Sequence, residues 1–220
     1  MSDRASTGIS GLDGMLSGGF PRGHIVAVIG ACGTGKTTMA LQFLIDGLPK
    51  GEKGIFISLE EDQEAVAETA RSYGWDIGPR IAQKELAVYK LEPSDAKAAI
   101  ERVRSELPDL IKGFGARRLA LDSVSLLNML AEDEAARRAQ IFSLCQQIRK
   151  AGATAVLTAE ARPDNPSASR DGLVEYVADG VIVLQYVVQG SGEVQLALRV
   201  VKMRRCQHTR TVKPYTLTSR

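Results

Sequence analysis

Eight residues, Gly30-Ala31-Cys32-Gly33-Thr34-Gly35-Lys36-Thr37, have the spacing G-x-x-x-x-G-K-S/T of a phosphate-binding loop. Glycine at the first, fourth and sixth positions lets backbone N–H groups close on phosphate oxygens, because no Cβ stands in the way. Lys36 is expected to reach the β- and γ-phosphates and the Thr37 hydroxyl to hold Mg²⁺. Gly30, Gly33, Thr34, Gly35 and Thr38 are expected to complete the cradle at a helix N-terminus. Two acidic positions further along supply what hydrolysis of a nucleoside triphosphate requires. Asp122 ends an apolar run and is placed for a Mg²⁺ contact, direct or through water. Glu60 and Glu61 end another such run, where one of them can orient or deprotonate an attacking water. Each has a plainer alternative. Asp122-Ser123 also suits a turn or helix cap, and Glu60-Glu61 also suits the acidic first turn of a helix. Glu160, at a further strand end, is a candidate sensor of the γ-phosphate.

A sheet must stand behind these residues. His24 to Ile29 reads as a buried parallel strand and Thr38 to Asp46 as the helix that follows the loop. Gly54 to Leu59 predicts a second strand. Asp62 to Tyr73 predicts a helix with Asp62 as N-cap and Gly74 as stop. Leu86 to Leu91 predicts another strand, and Ser94 to Leu107 a helix capped by Ser94 and ended by Pro108. Arg118 to Asp122 and Thr154 to Thr158 read as core strands, with an amphipathic helix over Glu134 to Lys150 between them, stopped by Gly152. Arg162 to Gly172 reads as a loop. Val181 to Tyr186 and Gln195 to Val201 flank Gly190-Ser191-Gly192, a hairpin signal. Residues 7–23 read as a turn-rich approach to the first core strand. The alternation predicts an α/β fold: a mainly parallel twisted sheet, helices on both faces, and a C-terminal antiparallel hairpin at one edge. Ligands of such sheets bind beyond the carboxyl ends of the strands, which is where the loop and the acidic residues fall.

The 220 residues suit one domain over residues 1–220, and 44% apolar with 25% charged residues is an ordinary globular composition. No apolar run approaches the length of a membrane span, and the N-terminus lacks the apolar core of a signal peptide, so no membrane partner and a cytoplasmic location are expected. Cys32, Cys145 and Cys206 form no C-x-x-C pair and read as reduced thiols. The net charge of +2 is unevenly spread. From Arg199 to Arg220 there are seven basic residues and no acidic one, while Glu60 to Glu64 is acidic. That split suits the two sides of a subunit contact, a nucleic-acid patch, or a solvated edge.

Together these residues resemble the KaiC family, the RecA-like phosphate-loop ATPases named for the cyanobacterial clock protein. The resemblance includes Gly8-Ile9-Ser10-Gly11-Leu12-Asp13, Gly18-Gly19-Phe20-Pro21-Arg22-Gly23, Gln42-Phe43-Leu44 and Ser58-Leu59-Glu60-Glu61. It continues through Ala70-Arg71-Ser72-Tyr73-Gly74-Trp75-Asp76, Leu121-Asp122-Ser123, and Lys202-Met203-Arg204 with His208. What it implies is a Mg²⁺-dependent ATPase with a RecA-like fold, assembled as a homo-oligomer, a hexameric ring, with ATP held between neighbouring subunits. By the same resemblance Glu60 and Glu61 are the catalytic pair and Ser72 touches the nucleotide. Lys202, Arg204 and His208 reach the neighbour's ATP, with Met203, Cys206, Thr218 and Ser219 lining the same edge. Cations supplied in this way stabilise charge on the phosphoryl group in transfer. Adenine over guanine is also carried by the resemblance. This chain departs from the family at Arg205, where a small residue, often glycine, is usual, and at Cys206-Gln207, where small hydroxyl residues are usual. The clock protein's phosphorylated Ser-Thr pair has no match.

The leading expectation is a ring ATPase that switches partner proteins, still to be identified, by nucleotide state. A recombinase- or helicase-like motor on single-stranded DNA is the first alternative. It would need basic and aromatic residues on channel loops, yet Arg162 and Arg170 are matched by Asp164 and Asp171, and Leu126 to Glu134 is acidic where charged. Nucleic acid is therefore disfavoured. A serine/threonine autokinase is the second alternative, with Ser123 and Ser125 nearest the site, although turn formation accounts for both. A degenerate nucleotide-binding subunit is set aside because Lys36, Thr37, Glu60, Glu61 and Asp122 are all present.

Overall fold

The structure, a computed structural model, describes residues 3–91, 96–125, 133–190 and 192–218. The chain opens with β1 (Arg4–Ala5), α1 (Ser10–Met15) and β2 (Phe20–Pro21), and β1 pairs antiparallel with β2 in a small sheet of its own. β3 (Ile25–Gly30) then leads into α2 (Lys36–Gly47), followed by β4 (Gly54–Ser58), α3 (Gln63–Ser72), α4 (Gly78–Ala82) and β5 (Leu86–Lys90). Next come α5 (Ala96–Phe114), β6 (Arg118–Asp122), α6 (Glu134–Ala151), β7 (Thr154–Glu160) and α7 (Val174–Val177). β8 (Gly180–Val188), β9 (Val194–Met203) and β10 (Lys213–Tyr215) close the described chain.

The main sheet has the order β10-β9-β8-β3-β7-β6-β4-β5. The six strands from β8 to β5 are parallel, and β9 and β10 extend the edge antiparallel. The alternation along β3 divides the core in two, because successive side chains point to opposite faces. Ile25, Ala27 and Ile29 pack with Leu107 and Ile111 of α5 and with Ile141, Leu144 and Ile148 of α6. Val26 and Val28 face Met39, Phe43 and Leu44 of α2 and Val66 and Ala70 of α3. Both faces are covered, as parallel strands require.

The mainly parallel sheet and its terminal hairpin match the expected fold, while α1, α4, α7 and β10 are added to it. Pro108 does not end a helix. α5 runs through it to Phe114, and the stop is Gly115 with φ +74°. The proline removes one backbone donor, but Leu107 and Ile111 on either side are buried in the core and hold the helix on course. Asp62 caps α3 by accepting from Ala65 N at 2.9 Å, and Gly74 leaves that helix at φ +77°. The proposed Ser94 cap lies outside the described residues. No helix among the described residues is long and apolar enough to cross a membrane.

Candidate active site

β3 ends at Gly30 and α2 begins at Lys36, so the glycine-rich loop bridges a central strand and a helix N-terminus. Gly33 and Gly35 take φ +77° and +84°, which favour glycine. Space excludes a side chain as firmly as φ does. A Cβ on Gly30 would lie 2.4 Å from Thr34 Oγ1, and one on Gly33 would lie 2.7 Å from Tyr186 Oη. The buried Thr34 hydroxyl donates to Ala31 O at 2.8 Å and braces the loop from within. Lys36 Nζ arches back to Ala31 O at 3.0 Å. Thr37 Oγ1 donates to Asp122 Oδ2 at 2.7 Å, and Thr158 donates to the other oxygen of that carboxylate. Sheet register sets Asp122 beside Thr158, since Leu121 of β6 pairs with Leu157 of β7, and it sets Ser58 of β4 opposite Asp122 on the other side.

The acidic pair follows directly. Ser58 Oγ accepts from Glu60 N at 3.1 Å and Glu61 N at 2.8 Å, a turn that delivers both carboxylates beside Asp122. Glu61 Oε2 is buried without a hydrogen-bond partner. Burial first, then the charges of Asp122, Glu60 and Asp62, raise the Glu61 carboxyl above its ordinary range. Lys36, Thr37, Thr38, Glu60, Asp122 and Glu160 line one cavity of about 270 Å³. Glu160 also pairs with Arg170 at 3.1 Å. No group of three or more His, Cys, Asp or Glu donors forms a metal site among the described residues. One hydroxyl and one carboxylate beside a phosphate cradle is instead the donor set that suits Mg²⁺, which keeps waters and phosphate oxygens as its other ligands.

Four aromatic or apolar residues join the site that local sequence signals did not assign to it. Tyr186 Oη donates to Cys32 O at 3.0 Å, and Tyr215 Oη donates to Thr34 O. Leu217 lies over Gly35, where a Cβ would approach it to 2.8 Å. Tyr73, stacked on Trp75 with centroids 5.4 Å apart, lines both the loop cavity and an adjoining pocket shared with Met39, Gln42 and Thr218. Tyr186 and Tyr215 stand 154 and 181 positions from their loop partners, so only the folded sheet brings them in. Ser72 stands apart, its hydroxyl turned back to Thr69 O at 2.7 Å.

The residues assigned to the neighbour's nucleotide gather elsewhere. Lys202 pairs with Val181 and Met203 with Gly180, at the amino end of β8, whereas the loop follows the carboxyl end of β3. Lys202 Nζ donates to Glu175 O at 2.9 Å and Ala178 O at 2.7 Å. Burial first, then the nearby Arg204 charge, lowers its pKa. Arg204 is half exposed and sits 3.7 Å from Asp179. Arg205 holds φ +54°, in the left-handed region that suits glycine better than arginine. The Met203 side chain is buried against Gly180 and so faces the core rather than the edge. The Cys206 thiol donates to Leu16 O at 3.3 Å, and His208 Nε2 is buried without a partner. Thr218 does not share this edge in the folded subunit but lies beside Gly35 of its own loop, and Ser219 lies outside the described residues.

A family model described as "ATPase: KaiC" matches residues 5–220. The chain is 31% identical to the circadian clock oscillator protein KaiC of Synechococcus elongatus, over 96% of this chain and 42% of that protein. It is 30% identical to the circadian clock protein KaiC3 of a Synechocystis strain, over 98% of this chain and 44% of that protein. The chain thus spans less than half the length of these curated relatives. Among solved structures, the KaiC-like protein PH0186 of Pyrococcus horikoshii superposes with a TM-score of 0.87 at 30% identity, covering 100% of this chain and 97% of that one. The fold is therefore that of a KaiC-like RecA-type domain, and the chain belongs to the KaiC family of ATPases.

Proposed function

We propose that this chain binds Mg²⁺-ATP between Gly30 and Thr38 and hydrolyses it with Glu60 and Glu61, at sites completed by Lys202, Arg204 and His208 of a neighbouring subunit. The observation that carries this reading is the Thr37–Asp122 hydrogen bond at 2.7 Å beside Lys36. It joins the loop hydroxyl and the strand-end carboxylate that a nucleotide-bound Mg²⁺ requires together. Bound there, Mg²⁺ would draw charge from the phosphate oxygens. Thr37 and Asp122 would hold the metal, Lys36 would turn from Ala31 O to the phosphates, and the loop N–H groups would orient them. Glu61, partly desolvated and without a partner, or Glu60 beside it on the cavity wall, takes the proton of the attacking water.

The separation of Lys202 and Arg204 from their own loop supports a shared site, because one chain does not bring the two halves together. A closed ring, six subunits in the present reading, lets each loop meet a neighbour's edge. Turnover in such a ring makes a nucleotide-state switch for partner proteins, in keeping with relatives named as clock oscillator proteins. The loop arginines are ion-paired within the chain, Arg162 to Asp164 at 2.7 Å and Arg170 to Glu160, which weighs against a nucleic-acid role. Ser123 and Ser125 are buried in the turn after β6, and the Ser125 hydroxyl accepts from Glu160 N, which weighs against their phosphorylation.

Lys36→Ala tests the loop assignment. Calorimetric titration with Mg²⁺-ATP is expected to show binding lost in that variant, and an unchanged affinity would refute the assignment.

A further inference from the structure

The Asp179 carboxylate holds together more partners than a surface aspartate needs. It sits between α7 and β8, and its side chain is only 15% exposed. Oδ2 accepts from Ile25 N at 3.1 Å, at the start of the strand that leads into the phosphate loop. Arg149 Nη2, from the last turn of α6, lies 3.3 Å from Oδ2 and 3.4 Å from Oδ1, and also donates to Val177 O at 2.7 Å. Arg204 Nη1 lies 3.7 Å from Oδ1. The backbone is tied at the same point, because Arg204 N donates to Asp179 O at 2.8 Å. On its far side, Arg204 O lies 3.0 Å from His24 Nε2. The backbone of the residue bearing the half-exposed guanidinium is therefore tied at both N–H and C=O, and one guanidinium nitrogen stands in an ion pair with Asp179. The Arg204 side chain is 53% exposed and borders a cavity with Arg149 and Tyr176.

We propose that Asp179 is the positioning residue for Arg204, pre-setting its guanidinium for the phosphates of the neighbouring subunit. This inference rests on the shared-site reading above. The physical reason lies in side-chain entropy. A free arginine surrenders rotamer freedom when it is fixed. A carboxylate beside one guanidinium nitrogen in the separate subunit meets part of that loss before assembly. Arg149 makes the closer contacts to the same carboxylate, so Arg204 is paired with it loosely and keeps donors for phosphate oxygens in the proposed contact. Lys202 is fixed in parallel by the carbonyl groups of Glu175 and Ala178, so both cations are presented from one rigid corner.

The test is complementation between defective subunits. Asp179→Asn keeps an oxygen for Ile25 N but removes the charge, and its ATPase turnover is expected to fall about tenfold with the KM for ATP little changed, the pattern of an interaction made in the transition state. Mixed with Lys36→Ala subunits, which lack a working loop but carry an intact Asp179 and Arg204, it is expected to regain activity. Arg204→Ala mixed with Lys36→Ala is the reference. If the reference mixture recovers and the Asp179→Asn mixture does not, Asp179 serves only its own fold and the inference fails. If neither mixture recovers, the shared-site reading fails first. Full turnover of Asp179→Asn alone also overturns the inference. Should Asp179→Asn not fold, Asp179→Glu keeps the charge and shifts it by one methylene, and it must show the same loss and the same rescue.

Discussion

Glu61 occupies a costly position. Its carboxylate is partly buried, surrounded by Asp122, Glu60 and Asp62, and one oxygen has no partner. The folded chain therefore holds the Glu61 proton more tightly than the unfolded chain does. A group with a raised carboxyl pKa contributes its stability fully below the ordinary carboxylate range and loses it as pH rises through the raised value. At neutral pH the ionised side chain opposes folding, a cost that fits the proposed role of a base. Glu61→Gln is thus expected to melt at a higher temperature than the parent at neutral pH, with the difference closing on acidification. Hydrolysis is expected to fall about 10²-fold or more in the Glu60→Gln, Glu61→Gln double variant while ATP binding persists. A Glu61→Gln variant that is less stable at neutral pH, or a double variant with undiminished turnover, would remove the pair from this role.

At the scale of elements, the opposite end of the sheet is held by Arg118, which is fully buried. It donates to Glu52 through Nε, to Phe43 O at 2.6 Å and Ser6 O at 2.8 Å, and lies 3.3 Å from Asp46. It thereby ties β6 to the C-terminal turns of α2 and to the N-terminal segment. Gly47 leaves it room, since a Cβ there would lie 2.4 Å from Arg118 Nε. Burial alone would raise the Glu52 carboxyl, but hydrogen bonds and charge from Arg22 and Arg118 hold it below its ordinary value. Arg118→Met leaves that carboxylate to Arg22 alone and strips Phe43 O and Ser6 O of a buried donor, and it is expected to cost about 2 kcal/mol or more in denaturant unfolding, the scale of leaving buried polar groups unsatisfied. A loss within about 0.5 kcal/mol, the size of an ordinary surface substitution, would contradict this account. Neither this network nor the Tyr186 and Tyr215 contacts to the loop was legible in the sequence. Their partners are many tens of residues apart, and no local period marks them. The loop was legible because its chemistry is contiguous, and so was Asp62, whose capping bond closes within three residues. Pro108 misled because a local steric rule was outweighed by Leu107 and Ile111 in the core.

For the whole molecule, the sheet sets the loop, Asp122 and the acidic pair at the carboxyl ends of its strands, and Lys202 and Arg204 toward the amino end of β8. The alternation of strands and helices foretold that sheet. It did not foretell the distance between the two halves of the proposed site, because the family resemblance assigned roles without places. If that separation is bridged only by a neighbour, activity per subunit must depend on assembly. The most direct measurement is the rate of phosphate release from ATP per subunit across a wide range of protein concentration, with the assembly state followed in parallel by sedimentation. The account predicts a specific rate that climbs and saturates as oligomers form. Full turnover by subunits that sediment as monomers would contradict it.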